Sequence, residues 1–471
     1  MAPSATDHQK SEKSADKLSN GCLKDETSEA SSSRKHILDL PYDVLSRIFS
    51  GFDPAPELCM LMEVCTKFTQ VAKNPVLWTR VTAVDPITRR AKEHGLESAA
   101  RSIVYGSDKA LCPPCPTNTT SSTVQRKRRG AGLAVDVITS RGGTKLTSLD
   151  LSDCYPNFPR YEHQLTDDDL QVIADRCSES LQVLRLSSSS FLTDSALADL
   201  AQSCQQLRTL HLVGFPNITG TALGNITDAC PTLEDISVRR CSTFNGRTMR
   251  KRLIPVRTTL RRIDISETNS TSLNMNAFMT KCPAIEEIDA SKCKHLQIRL
   301  RSDSLQETPV SPKITSLNFD NIHGIDTELI MLIWQMCQKL EHFSCNESNM
   351  GGDSDMEELF SLNTWPPLKT LKMAGLKVTD EMFQRIFKML GETLVECDLS
   401  ENWDLTCKLQ LLGDETFAEL KTLRVRYTQT TPDTVKTLIS IAPKLKNLDL
   451  SGCVRIDRQM RKNPLASEQV T

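Results

Sequence analysis

The sequence predicts an α/β solenoid, a curved stack of parallel strands on one side and helices on the other, preceded by a small all-α block. Three observations carry this expectation. Across residues 146–453 the pattern L-x-x-L-x-L recurs in phase twelve times, each followed two or three residues later by a small or polar residue, often Cys or Asn. The mean step is about 27 residues, inside the ~20–29 residue range of repeats that pair one strand with one helix. Ahead of the repeats, residues 36–84 form a dense apolar block with helical spacing.

Within each repeat the period changes. Units such as LTSLDLSDC from Leu146, LQVLRLSSS from Leu181, LEDISVRRC from Leu233 and LKNLDLSGC from Leu445 begin with the two-residue alternation of a short strand. The stretch that follows has helical spacing: in LTDDDLQVIADRC, Leu170, Ile173, Ala174 and Cys177 fall on one helix face, with Thr166 and Asp167 as capping residues. Strand then helix, stacked in register, gives a horseshoe with its strands on the concave side and its helices on the convex side. A single repeat cannot bury its own apolar face, so neighbours must stack.

The remaining segments follow from composition. Residues 1–35 hold eight Ser among six basic and six acidic residues and almost nothing large and apolar, which predicts a disordered segment. Residues 85–145 carry eleven Lys/Arg against five Asp/Glu and contain the run Gln125 to Arg129, so they read as a basic linker or as degenerate first repeats. Residues 454–471 form a C-terminal tail.

Composition also excludes function classes. Of 471 residues, 57 are Lys or Arg and 59 Asp or Glu, a formal charge of −2 that gives no chain-wide footprint for nucleic acid or an anionic membrane. The first residues lack a signal-peptide core and no apolar run approaches ~18 residues, so the expected location is cytoplasmic, nuclear or both. The chain has 17 cysteines, yet they recur at helix ends (Cys177, Cys204, Cys230, Cys282, Cys337) and in the small-residue position after strands (Cys154, Cys241, Cys293, Cys453). That placement predicts buried packing rather than disulfide, metal or redox chemistry. The lone pair Cys112 and Cys115 has no second pair nearby to complete a zinc site. No metal, no cofactor and no catalytic set are expected: Ser/His/Asp, H-E-x-x-H and phosphate-loop motifs are all missing.

In the 36–84 block, Val44, Leu45, Ile48, Phe49 and Phe52 recur on an apolar helix face; Asp53-Pro54 breaks that helix. Leu61, Val64, Cys65, Phe68 and Ala72 form a second face ended by Asn74-Pro75, and Leu77 and Trp78 complete the apolar set. So short a block makes a marginal core and leaves apolar surface over for a partner. Leu40-Pro41, Asp43, Leu45, Ile48-Phe49, Val64-Cys65, Phe68, Pro75 and Trp78, in this order and spacing, resemble an F-box. The repeats, with their strand-end Cys and the Cys-Pro joints at Cys230-Pro231 and Cys282-Pro283, resemble cysteine-containing leucine-rich repeats. Together the two parts resemble the F-box/leucine-rich-repeat family, whose members are non-catalytic substrate receptors of SCF cullin–RING ubiquitin ligases.

The resemblance implies that the F-box docks on the ligase's adaptor subunit, and through it on cullin and RING subunits, while the solenoid holds a protein substrate for ubiquitination and degradation. Leu40, Pro41, Leu45, Ile48, Phe49, Leu61, Val64 and Trp78 are the residues it assigns to the adaptor contact or the helical core behind it. On the concave face, Arg185, His211 and Arg239 are expected to form a basic patch, Asp264, Glu287, Asp289 and Asp320 an acidic patch, and Arg424 with Arg426 a smaller basic spot. Opposed patches on one concavity suit a peptide bearing both signs of charge. Thr308-Pro309 and Ser311-Pro312 mark 294–313 as a loop suited to phosphorylation. The alternative reading is a freestanding solenoid scaffold or inhibitor of a protein such as a GTPase, which would need a projecting arginine.

Overall fold

The computed structural model describes residues 37, 40–51, 66–82, 131–152, 165–187, 189–244, 259–273, 282–298, 313–325, 327–348, 357, 359–409 and 416–465. The segment 1–35, Cys112 and Cys115, the Gln125 to Arg129 run and the Thr-Pro and Ser-Pro pairs of the 294–313 stretch lie outside these residues.

The strands are β1 Arg80–Thr82, β2 Ser148–Asp150, β3 Val183–Ser187, β4 Thr209–Val213, β5 Asp235–Ser237, β6 Arg262–Asp264, β7 Ser272–Leu273, β8 Glu287–Asp289, β9 Gln297–Ile298, β10 Ser316–Asn318, β11 His342–Ser344, β12 Thr370–Lys372, β13 Glu396–Asp398, β14 Thr422–Arg424 and β15 Asn447–Asp449. All but β7 and β9 join one parallel sheet in chain order. β7 and β9 pair with each other as a small parallel sheet. The solenoid expected from the repeat period is therefore the observed fold. Twelve of the thirteen strands in the main sheet coincide with the L-x-L cores of the repeats. The extra one, β1, belongs to the end of the apolar front block, and pairs through Val81 with Leu149 of β2.

The helices sit at the far side of the strands. They include Ala131–Gly142 (α3), Asp167–Cys177 (α4), Asp194–Ser203 (α5), Gly220–Ala229 (α6), Thr327–Met336 (α7), Asp380–Leu390 (α8) and Pro432–Ile441 (α9). Helices α4, α5, α6, α8 and α9 all start after a threonine in extended conformation. Its side chain or backbone satisfies orphan groups of the first turn. In α4, α5 and α8 an aspartate follows that threonine and serves the next repeat. Asp167 accepts from the backbone N–H of Thr193 at 3.0 Å and from its hydroxyl at 2.8 Å; Asp194 does the same for Thr219 and Asp380 for Thr406. The Thr-Asp pair is thus both a helix start and a clasp between repeats.

One continuous core runs from Leu45 to Ile456. The repeat cysteines belong to it. Cys177, Cys204, Cys230, Cys241, Cys282, Cys293, Cys337 and Cys453 are buried free thiols. Cys453 donates to the Val425 carbonyl at 3.0 Å and Cys293 to that of Ile265 at 3.1 Å, each bridging to the preceding repeat. Burial pushes the thiols of Cys204, Cys337 and Cys407 up to about 12 and those of Cys177 and Cys230 up to about 11, so none is a nucleophile near neutral pH. Cys154 lies outside the described residues.

The front block is stitched to the sheet. Tyr42–Phe49 (α1) and Thr66–Ala72 (α2) pack against each other, with the Phe49 and Phe68 rings edge to face at 5.1 Å. A 3-10 turn at Pro75–Trp78, capped by Asn74, turns the chain into β1. Trp78 is fully enclosed; its indole N–H donates to the Ala72 carbonyl at 2.7 Å and the Arg141 guanidinium of α3 stands 4.8 Å over its ring. Gly142 is held close to the Trp78 carbonyl, where a Cβ would come within 3.1 Å. One tryptophan therefore touches the front block and the first repeat alike.

Candidate functional site

Two surfaces meet the criteria for recognition: the outside of the front block and the concave sheet. On α1, Leu45 and Phe49 point inward and are buried, while Tyr42, Val44 and Ile48 are exposed on the other flank. The apolar face expected as one stripe is split into two, because a buried i, i+4 pair leaves i−1 and i+3 outside. Ile37 and Val76 are exposed as well, and Leu40 packs at the edge of the core. Lys67 reaches across from α2 to donate to the Leu40 carbonyl at 2.9 Å, fixing the chain that leads into α1. Pro41 is exposed just before the helix, which begins at Tyr42.

The residues that the resemblance assigned to the adaptor contact or to the helical core behind it divide between interior and surface. Leu45, Phe49 and Trp78 are interior and can only hold the outward side chains in place. Pro41 and Ile48 are outside and available; Tyr42 and Val44 accompany them. Leu61 and Val64 lie outside the described residues. Tyr42 and Ile37 escaped the sequence reading, and Val44 was placed on the same face as the buried residues, because an apolar side chain at a helix edge looks the same whether it faces core or solvent.

On the concave face the twelve residues at the x of each L-x-L core, the middle column of the sheet, form a register ladder. Asp150 pairs with Arg185, Arg185 with His211, Ser237 with Asp264, Asp264 with Asp289, and so on to Arg424 beside Asp449. Arg185 donates from Nε to Nδ1 of His211 at 3.2 Å and lies 3.7 Å from Asp150, while His211 Nε2 faces Asp235 at 3.0 Å. Arg239 stands away from these two and is held by Glu267 at 2.6 Å, a carboxylate it shares with Arg240. The expected basic patch is thus a pair plus a neutralised arginine, each bonded across strands.

The acidic residues are also occupied. Asp264 accepts from the Ser266 N–H at 2.8 Å and the Ser237 hydroxyl at 2.8 Å; Asp289 accepts from the Ser291 N–H at 2.9 Å and from Asn318 at 3.1 Å. Asp150, Asp398 and Asp449 make the same bond two residues on, at 3.0 Å each. The middle-column aspartate is therefore a structural stop for its strand, turning the backbone by accepting the i+2 N–H. Asp320 accepts from the Ser344 hydroxyl at 2.6 Å and the Asn346 N–H at 2.7 Å. Glu287 is half-exposed and faces Arg262 at 3.4 Å. Burial beside the Asp264 charge holds the Asp289 carboxyl above its usual range, against its hydrogen bonds from Ser291 and Asn318. The signal for this role was legible as the recurring Asp-Leu-Ser or Asp-Ile-Ser triplet.

Near the far end, Arg424 is bonded to Glu396, which also faces Lys372 at 3.3 Å. Partial burial opposes the ionisation of Glu396, but its hydrogen bond from Arg424 and the charges of Lys372 and Arg424 hold its carboxyl below the usual value. Arg426 is more loosely placed, 3.9 Å from Asp449. A cleft of about 430 Å³ between β14, β15 and residues 462–465 is lined by Arg424, Lys446, Asp449 and Lys462. Among the described residues no His, Cys, Asp or Glu side chains cluster in threes as a metal-holding group, and no helix is long and apolar enough to cross a membrane.

Comparison with known proteins agrees with this arrangement. Residues 37–83 match the F-box-like family model. The chain is 26% identical over 231 residues to F-box/LRR-repeat protein 23 of Arabidopsis thaliana, a match that covers 44% of this chain and 48% of that one. It is 26% identical over 263 residues to F-box/LRR-repeat protein 4 of Bos taurus, covering 55% and 38%. The matched region thus spans about half or less of the length of these two relatives. Among solved structures, the Rad7 and Elc1 complex of yeast has a chain superposing with a TM-score of 0.42 at 14% identity, covering 72% of this chain and 89% of that one. The leucine-rich repeat domain of APL1B superposes with a TM-score of 0.32 at 15% identity, covering 70% and 75%. An F-box-like block thus runs into a parallel sheet of thirteen strands. The chain is thus similar to F-box/LRR-repeat proteins in its front block and over about half of its length.

Proposed function

We propose that this protein is the substrate-recognition subunit of an SCF-type ubiquitin ligase, a non-catalytic receptor acting in the cytoplasm, the nucleus or both. The observation that carries the reading is the exposed apolar flank of the front block, Tyr42, Val44 and Ile48 with Val76, on a unit fastened to the solenoid through Trp78 and β1. A set of large apolar side chains left in water on a marginal core is a partner surface. The family's adaptor subunit is the partner proposed for it, with cullin and RING subunits joining through the adaptor. The solenoid then presents a protein substrate at a fixed distance from the ligase machinery. A freestanding scaffold that supplies an arginine to a GTPase fits less well, because Arg185 is tied to His211 and Arg239 to Glu267.

The test is proximity labelling under proteasome inhibition, comparing the intact chain with Ile48→Asp. This substitution is preferred to deletion of the block, since β1 is part of the sheet. The adaptor should be labelled by the intact chain only, and substrates should accumulate around the variant without attached ubiquitin. Equal adaptor labelling by both forms would remove the basis for the proposal.

A further inference from the structure

The turn after each strand of the main sheet from β4 to β15 repeats one backbone conformation: the third residue past the x of the L-x-L core has positive φ. At most of these ten positions the residue is a glycine or a long polar side chain, such as Gly375, Arg240, Lys292 or Glu401. Tyr427, at φ 52°, is the one aromatic among them. A bulky ring in the left-handed region is strained, and such strain persists where a site uses it. The neighbouring chemistry shows how Tyr427 is accommodated. Gly452, at φ 78°, lies under the ring, where a Cβ would come within 2.3 Å of it. Trp403 from the preceding repeat stands 6.1 Å away, and the Arg426 guanidinium is 5.8 Å over the Tyr427 ring.

Despite that support the platform is open to water. Trp403 is 64% exposed, Tyr427 40% and the adjacent Val454 76%. The other three tryptophans, Trp78, Trp334 and Trp365, are buried. Exposed Trp, Tyr and Arg brought together are the residue types that dominate binding energy at interfaces. Arg426 is only weakly neutralised, at 3.9 Å from Asp449, and Arg455 is exposed beside Val454. Arg426 and Arg455 thus put two guanidinium groups at this rim, with Asp449 beside Arg426 and the exposed Asp404 next to Trp403.

We propose that Trp403, Tyr427, Arg426 and Val454 form a docking platform at the C-terminal rim of the horseshoe for a peptide segment of a protein partner that carries a large apolar side chain next to acidic residues. The apolar side chain lies on the rings and the carboxylates face Arg426. As the substrate-anchoring point of a ligase receptor the platform rests on the function proposed above; as a peptide site it does not.

The test uses acrylamide quenching of the full chain, because Trp403 supplies the quencher-accessible emission. The probes are the capped octapeptide Gly-Ser-Phe-Asp-Glu-Asp-Ser-Gly, a counterpart with its acids changed to Lys, and one with Phe changed to Ala. The acidic Phe peptide should protect Trp403 and shift its emission to the blue; the other two should not. Arg426→Ala should weaken that binding about tenfold. Tyr427→Gly should abolish it while raising the melting temperature, since glycine relieves the strain. No protection by the acidic peptide, or equal protection by all three, would overturn the proposal. Protection that grows with protein concentration alone would point to a second copy, and protection by phosphatidylglycerol vesicles alone to a membrane; either outcome also overturns it. Adaptor capture measured on the same sample separates the two readings: its loss with peptide binding intact sinks the receptor assignment alone.

Discussion

The aspartate two residues before a serine recurs at the end of so many strands that its role can be separated from recognition by a single atom. Asp398 accepts the Ser400 N–H through one carboxylate oxygen. Asparagine keeps such an acceptor and alanine does not, so Asp398→Asn should leave the melting temperature close to wild type, while Asp398→Ala should cost about 1 kcal/mol. Equal losses in thermal unfolding would mean that charge, not the hydrogen bond, matters there. The Glu396 carboxyl has a depressed folded value, so its contribution is present above the unfolded value and is lost as pH falls through the folded one. Glu396→Gln should flatten the acid limb of the stability curve below about pH 4.3; an unchanged limb would show that Arg424 and Lys372 do not stabilise it. The buried thiols give a third residue-scale outcome. With values pushed up to about 11 or 12, Cys177, Cys204, Cys230 and Cys337 should resist iodoacetamide at pH 8 and label fully in guanidinium, as read by peptide mass spectrometry.

At the scale of elements, Trp78 is the joint. It bonds to Ala72 in α2, stacks beneath Arg141 of α3 and precedes β1 by a single residue, Thr79. Removing it leaves a cavity shared by both units, so Trp78→Ala should destabilise by about 3–5 kcal/mol and speed hydrogen exchange in α1, α2 and β1 before the later repeats. Uniform exchange along the chain would contradict a local joint. The same region shows where sequence reading stops. The twelve L-x-L cores were legible because each places two or three aliphatic side chains inward in a fixed phase. β1 offers only Val81 to the core, and its repeat partner α3 begins at Ala131, so the insertion between them erases the period. Helix caps were legible as Thr-Asp pairs, but the clasp from Asp167 to Thr193 joins residues one repeat apart, which local pattern does not register. Tyr427 was hidden for a different reason: positive φ at a tyrosine is imposed by the stack, not chosen by the residue.

The whole molecule joins an exposed apolar flank at one end to a long polar concavity and an aromatic rim at the other. Because a single core runs through both units, a partner held at the front block stands at a fixed position relative to the repeats, which is what a receptor needs and a flexible tether would not supply. The concave charges are largely paired with one another across strands, so much of what composition offered as opposed binding patches is lateral cement. Under the proposed function, recognition on this face would rest on the less tightly paired groups, Glu287 at mid-sheet and Arg426 at the rim. The central claim is that the outward flank of α1 recruits the adaptor subunit. The direct measurement is calorimetric titration of purified adaptor into the full chain and into its Ile48→Asp variant, with folding checked by melting temperature. Saturable binding to the intact chain that weakens at least 100-fold in the variant is the expected result; equal affinity for both, or heat from neither, would contradict it.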